Sequence, residues 1–203
     1  AKTDSIFWDG RSLAGEVTLP AETRIIAGGA FYGNTALTAV HIPDQTTWIG
    51  PAAFKGCSSL RHVTWPSCVT MAEAGIFSGC TSLETVACAV DPGPEPSYSV
   101  PWRFIRERAF YNCQCLRHLS LSLTRIIGKE AFSGCTAFTP DDTSSLVEAG
   151  EGAFDKTQAS GSLPVMGTIL VSGQDFSGTV HLPEGITAIA PFAFSGNRQV
   201  TEI

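Results

Sequence analysis

The chain returns every 22 or 23 residues to an Ala-Phe pair followed by Gly and then Cys or Asn. The copies read GGAFYGN, PAAFKGC, AGIFSGC, ERAFYNC, KEAFSGC, EGAFDKT and PFAFSGN, centred on Phe31, Phe54, Phe77, Phe110, Phe132, Phe154 and Phe194. The interval from Phe77 to Phe110 is 33 residues, which is one repeat plus ten inserted residues. A unit this short cannot bury its own apolar face. A chain with this period therefore folds by stacking one supersecondary unit on the next.

Other positions keep step with the phenylalanine. Apolar residues follow six later (Leu37, Leu60, Leu83, Leu116, Phe138, Val200) and nine later (Val40, Val63, Val86, Leu119, Ile203). Proline stands eleven before (Pro20, Pro43, Pro66, Pro183), and isoleucine five before (Ile26, Ile49, Ile105, Ile127, Ile189). Val40-His41-Ile42, Val63-Thr64-Trp65 and Leu119-Ser120-Leu121 alternate as half-buried strands do. The proline ends each strand because it cannot donate to a ladder. The glycine two after the phenylalanine suits a bend at positive φ. The phenylalanines read as core, and truncating one to Ala predicts a loss of about 3–5 kcal/mol.

Of seven cysteines, Cys57, Cys80, Cys113 and Cys135 share the slot three after the phenylalanine, where Asn34 and Asn197 also stand. The slot reads as a buried column filled by small thiols, with Asn bonding turn backbone in its place. Bridges or a metal site are the alternatives. Parallel side-chain vectors suit a bridge poorly, and Cys113-x-Cys115 is not a zinc-knuckle spacing. Cys88 takes an inward strand position, and Cys68 falls in a turn.

With 43% hydrophobic residues and 16% charged, the chain has ample apolar surface to bury. Its net charge of -6 comes without a basic stripe, which argues against nucleic acid as partner. No apolar run approaches the ~20 residues that span a bilayer, so no membrane insertion is expected. The chain opens on Ala1 and not on Met, which reads as a processed or trimmed N-terminus. No nucleophile elbow, phosphate-cradling glycine loop or metalloprotease helix is present. Asp141-Asp142, near Glu148 and Glu151, read as a solvated loop. The expectation is a protein that is not an enzyme and holds neither cofactor nor metal.

Leu37-x-x-Val40-x-Ile42-Pro43 with Ile49-Gly50-x-x-Ala53-Phe54-x-Gly56-Cys57, and its repetition along nearly the whole chain, resembles the BspA-like leucine-rich repeat, the type also seen in treponemal proteins. The resemblance implies a β-rich leucine-rich-repeat solenoid of the α/β horseshoe class, with a parallel concave sheet and short helical or irregular convex turns. It also implies a bacterial or protist protein of the cell surface, periplasm or extracellular space that binds proteins, host extracellular components among them.

Function is expected where the period fails and on the open sheet face. Residues 6–34 and 169–197 match each other at a constant offset of 163. This predicts one solenoid over 1–203: a cap-like, hairpin-like unit at 1–20, repeats over 21–162 with an insertion at 91–102, and a second cap-like unit restarting the array over 163–203. The stop at Thr201-Glu202-Ile203, in mid-strand by the repeat register, predicts a poorly capped end that continues or is covered by a second subunit. Residues 138–148 and the copy at Phe154 predict an irregular coil, where a small apolar ligand is the third functional reading. The insertion DPGPEPSYSVPW carries Tyr98 and Trp102, aromatic anchors of the kind that dominate interfaces; the alternative is that Trp102 packs back on its coil. Two outward columns are predicted on the strands. One holds Thr18, His41, Thr64, Ala87, Ser120 and His181. The other holds Glu16, Ala39, His62, Thr85, His118 and Thr179. From these, His41, His62, Thr64, His118 and Ser120 are the expected partner contacts, and no carboxylate is expected to share the face of the histidines.

Overall fold

The computed structural model describes residues 5–88, 102–117, 119–140, 143, 145–157, 165–166, 169–170, 177–182, 186–189, 193–194 and 196–203. Among them the secondary structure is short strand and turn, with no helix. In chain order the strands are β1 (Ile6–Phe7), β2 (Gly15–Thr18), β3 (Ile25–Ile26), β4 (Leu37–His41), β5 (Trp48–Ile49), β6 (His62–Trp65), β7 (Met71–Ala72), β8 (Thr85–Cys88), β9 (Phe104–Ile105), β10 (Ile126–Ile127), β11 (Glu148–Ala149), β12 (Val165–Met166), β13 (Ile169–Leu170), β14 (Gly178–Thr179), β15 (Ala188–Ile189) and β16 (Val200–Glu202). The expected parallel solenoid is what the chain forms. The rest of each coil is built from turns and a second, shorter ladder, and of the helical or irregular turns expected the described residues form irregular ones.

Up to β8 each coil contributes one longer and one two-residue strand, and β9, β10 and β11 continue the shorter set alone. The longer strands form the main sheet, β2-β4-β6-β8, parallel throughout. The short ones form β1-β3-β5 and β7-β9-β10-β11, also parallel. Residues 1–20 thus begin an ordinary coil: β1 pairs with β3 and β2 with β4, so the expected hairpin-like unit is not formed there. Leu119-Ser120-Leu121 keeps the predicted alternation of burial but joins no ladder.

The core is a file of rings. Phe7, Phe31, Phe54, Phe77, Phe110, Phe132 and Phe154 stack in sequence with centroids 5.0–5.4 Å apart. Each buried ring contributes roughly 1.5–3 kcal/mol against exposure, and an offset pair adds about 0.5–1.5 kcal/mol. Beside the rings the backbone binds coil to coil. Phe31 N donates to Ala53 O (2.7 Å), Phe54 N to Ile76 O (3.0 Å) and Phe77 N to Ala109 O (2.8 Å). The last bond spans the insertion, so the stack is continuous across it.

The four slot cysteines are buried free thiols. The Sγ of Cys57, Cys80, Cys113 and Cys135 donates to the carbonyl of Phe31, Phe54, Phe77 and Phe110 respectively, at 2.9–3.1 Å. Each thiol thus reaches back one coil to a carbonyl that also accepts the amide of its own coil's slot residue, Asn34, Cys57, Cys80 or Cys113, and adds a second donor to it. Burial pushes the Cys80 and Cys113 thiols well above their ordinary range, which keeps the donating proton in place. Asn34 fills the slot at the first full coil. Its amide nitrogen donates to Gly10 O and Leu13 O, and its Oδ1 accepts from the amides of Ala36 and Leu37. Where Thr157 replaces Cys, its hydroxyl turns to its own coil and donates to Phe154 O.

Candidate partner-binding surface

The two predicted outward columns are real registers of the main sheet. Glu16, Ala39, His62 and Thr85 are paired across four strands, as are Thr18, His41, Thr64 and Ala87. Inward neighbours such as Val40, Val63 and Val86 are buried, which turns the alternate residues outward. The columns are tied laterally. His41 Nδ1 lies 2.9 Å from Thr64 Oγ1, and His62 Nδ1 lies 2.8 Å from Thr85 Oγ1. His41 Nε2 lies 2.7 Å from Glu16 Oε1. Here the expectation fails that no carboxylate shares the histidine face: a one-residue register shift between Gly15 and Glu16 accompanies the pairing of Glu16 with Ala39, and its carboxylate lies beside His41. Ser120 is half-buried and bonds Ser122. Among the described residues no group of three or more His, Cys, Asp or Glu is placed to hold a metal ion.

Trp102 is not a surface anchor. It is 1% exposed, edge-on to Trp65 at 5.0 Å and tilted on Phe110 at 5.2 Å. The reason is register. Eight residues before the repeat phenylalanine stand Thr23, Thr46, Val69, Trp102 and Thr124, all buried. Thr46 Oγ1 donates to Thr23 O and Thr124 Oγ1 to Trp102 O, both at 2.9 Å, so Trp102 occupies a position of the repeat and not of the insertion. That column was readable in the sequence, and it shows that the coil resumes at Trp102. Tyr98 and His118, and the rest of the insertion, lie outside the described residues.

A second surface went unread in the sequence. Six residues before the phenylalanine stand Ile25, Trp48, Met71, Phe104, Ile126 and Glu148, the outward column of the short ladder. Trp48, Phe104 and Ile126 are exposed, at 44%, 38% and 37%. The signal was present as two adjacent apolar residues, Ile25-Ile26, Trp48-Ile49 and Phe104-Ile105, which a search for buried positions merges into one. Beside the row lies an open groove of about 620 Å³ lined by Met71, Ala74, Phe104, Ile126 and the backbone of Gly128. On its other side a hollow of about 380 Å³ is lined by Arg103, Leu123, Arg125, Ser145 and Val147. Arg106, Glu107 and Lys129 also line the groove, and charges there and next to it are paired between coils: Arg106 with Glu73, Arg108 with Glu130, and Lys129 with Glu151. Such exposed pairs are worth about 0–1 kcal/mol each. On the adjoining turns, the Ser67 amide and hydroxyl both donate to Asp44 and hold its carboxyl below the usual carboxylate range.

The family model for the BspA type leucine rich repeat region matches six copies over residues 4–91 and 103–203. No curated protein matches the sequence. A leucine rich cell surface protein from Faecalibacterium prausnitzii is similar in structure, with TM-score 0.62 and 25% identity over 92% of this chain and 47% of that one. A leucine-rich repeat protein from Eubacterium ventriosum has TM-score 0.58 and 21% identity over 77% of this chain and 47% of that one. The chain thus spans about half the length of these relatives. The leucine rich repeat protein of T. pallidum has TM-score 0.45 and 20% identity over 91% of this chain and 73% of that one.

Proposed function

Because the chain belongs to the BspA-type leucine-rich-repeat family, we propose that it is a protein-binding module of a bacterial surface, periplasmic or secreted protein, with the main sheet as its contact face. One observation carries this reading. The outward side chains of β2, β4, β6 and β8 form two straight, cross-bonded columns on a scaffold that does not have to reorganise. A surface ordered before it binds loses little entropy on binding. Apart from Glu16 on the first strand, the residues on it are small, polar and neutral or histidine, which suits hydrogen bonding to another protein. Glu16, His41 and Thr64 are joined in one hydrogen-bonded chain, but the His41 and Glu16 side chains are 41% and 70% exposed on the open sheet, so the role proposed is adhesion or recognition and not catalysis. The Faecalibacterium relative being a cell surface protein supports the compartment. Tyr98, on the insertion, is proposed as a further contact.

The test is surface plasmon resonance of the chain over a panel of purified extracellular-matrix and serum proteins. The variant replaces His41, His62, Thr64 and Ser120 together by Ala, with circular dichroism to confirm the fold. A partner whose affinity falls at least tenfold in this variant supports the reading. Affinity that survives all four substitutions sinks the main sheet as the contact face, and silence across the panel sinks the adhesion role.

A further inference from the structure

We propose that the exposed apolar row of the short ladder, Trp48, Met71, Phe104 and Ile126, with Arg103 and Arg125 beside it, is a docking groove for an acidic segment of another protein that carries large apolar side chains. This does not depend on the main sheet being used for binding.

The row is not needed for the fold, and the molecule contains its own control. Both ladders are parallel and turn side chains to solvent. On the main sheet the outward positions hold Glu16, Thr18, His41, His62, Thr64 and Thr85, none of them a large apolar residue. Threonine satisfies the β preference of an exposed strand position as well as Trp or Phe does. On the short ladder the inward partners Ile26, Ile49, Ile105 and Ile127 are already buried at 1% exposure or less, so the core is complete without the outer row. Large apolar side chains kept contiguous in water mark an interaction site. The shape agrees: the ridge of Phe104 and Ile126 separates the groove at Met71 and Ala74 from the hollow at Leu123 and Val147. A smaller hollow of about 150 Å³, lined by Trp48, Val69 and Met71, joins the two halves of the row.

Charge selects the occupant. Two of the charged groups that line the groove, Arg106 and Lys129, are paired with Glu73 and Glu151, and Arg108 is paired with Glu130. Across the ridge, Arg103 and Arg125 stand exposed on adjacent coils, and neither has an ion-pair partner among the described residues. Two free guanidinium groups on a chain of net charge -6 make a local site for carboxylates, which they bind in a bidentate manner. The partner thus presents apolar side chains to the groove and Asp or Glu to Arg103 and Arg125. A lipid surface fits less well, because Glu107 lines the groove and Glu148 stands beside Ile126 in the row: a peptide can set its carboxylates at Arg103 and Arg125 and its apolar side chains elsewhere, whereas a sheet of anionic headgroups meets both glutamates.

The test is selection of a random dodecapeptide display library on the immobilised chain, followed by fluorescence anisotropy on a synthetic peptide representing the enriched set. Two variants are compared: Phe104→Thr/Ile126→Thr, which keeps the strand preference, and Arg103→Glu/Arg125→Glu. The enriched peptides are expected to combine Asp or Glu with Leu, Phe or Trp. Affinity is expected to fall at least tenfold in either variant, to weaken as salt is raised, and to be unchanged in His62→Ala/Thr64→Ala. Basic or uncharged consensus peptides, no enrichment, or affinity indifferent to both variants overturns the proposal. So does binding confined to phosphatidylglycerol vesicles, or a dimer in sedimentation that Phe104→Thr/Ile126→Thr abolishes.

Discussion

The first start of the array and its restart 163 residues later have the same connections and different interiors. β1 pairs with β3 as β13 pairs with β15, Ile6 with Ile25 and Ile169 with Ala188. β2 pairs with β4 as β14 pairs with β16, and the register shift after Gly15 recurs after Gly178. Asn197 Oδ1 accepts from the amides of Gln199 and Val200 as Asn34 Oδ1 does from Ala36 and Leu37. Yet Ile26 is fully buried while Ile189, its counterpart, is 44% exposed. The difference is the following coil: β5 lays Ile49 against Ile26, and Phe54 stacks on Phe31. A coil sets its own register through its turns and caps, but its core is supplied by the next coil.

The comparison is broken or upheld most forcefully at the rings. Phe54 lies between Phe31 and Phe77, at 5.0 and 5.4 Å, whereas Phe194 is only half-buried. Phe54→Ala is expected to cost about 3–5 kcal/mol, and Phe194→Ala about 1 kcal/mol, in proportion to its burial. Urea unfolding of the two variants measures both. Equal losses would mean that each coil owns its core, and the comparison would fail.

A smaller effect belongs to the caps. Asn34 is buried and makes four hydrogen bonds with both ends of its amide, so Asn34→Ala takes from Leu13 O its side-chain donor and leaves Gly10 O with the Leu13 amide alone. A buried group left unpaired costs about 1–3 kcal/mol. Asn197 is half-buried, and water replaces much of what it provides; Asn197→Ala is expected to cost less than about 1 kcal/mol. Thermal unfolding of both variants at matched concentration decides it. A loss at Asn197 as large as at Asn34 would show that the cap and not the stack limits the restart.

What the sequence made legible follows from what a period can encode. The phenylalanine, the cysteine and the two outward columns of the main sheet were all legible, because each residue is of one kind or alternates strictly with buried ones. The ring of Trp102 and its nearby prolines suggest a surface anchor, but its place eight residues ahead of Phe110, which Thr23, Thr46 and Thr124 share and where all are buried, belongs to the core. The short ladder was missed because two residues per coil are too few for an alternation to register. Its outward column also varies freely from Ile25 to Trp48 to Met71. The contact of Glu16 with His41 crosses from one outward column to the other, which the spacing within a column does not show.

The finest separation is between what the stack imposes and what a residue prefers. Two positions per coil turn left-handed. The one two residues before the phenylalanine holds Gly29, Gly75 and Gly152 at φ 65°, 60° and 63°, but Ala52, Arg108 and Glu130 at φ 54°, 52° and 52°. A side chain in that region costs roughly 1–2 kcal/mol. Glycine there costs about 0.5–1 kcal/mol in unfolded-state entropy. The difference favours glycine, so Ala52→Gly is expected to raise stability by up to about 1 kcal/mol. This would appear as a higher urea midpoint at unchanged slope. The backbone bond from Ala52 N to Ala74 O, 3.0 Å, is kept by glycine and holds the turn to the next coil. A lower midpoint would show that the Ala52 methyl, half-buried in the turn, contributes more by packing than the strained φ costs. The conformation would then be the residue's own contribution to the stack and not one forced on it.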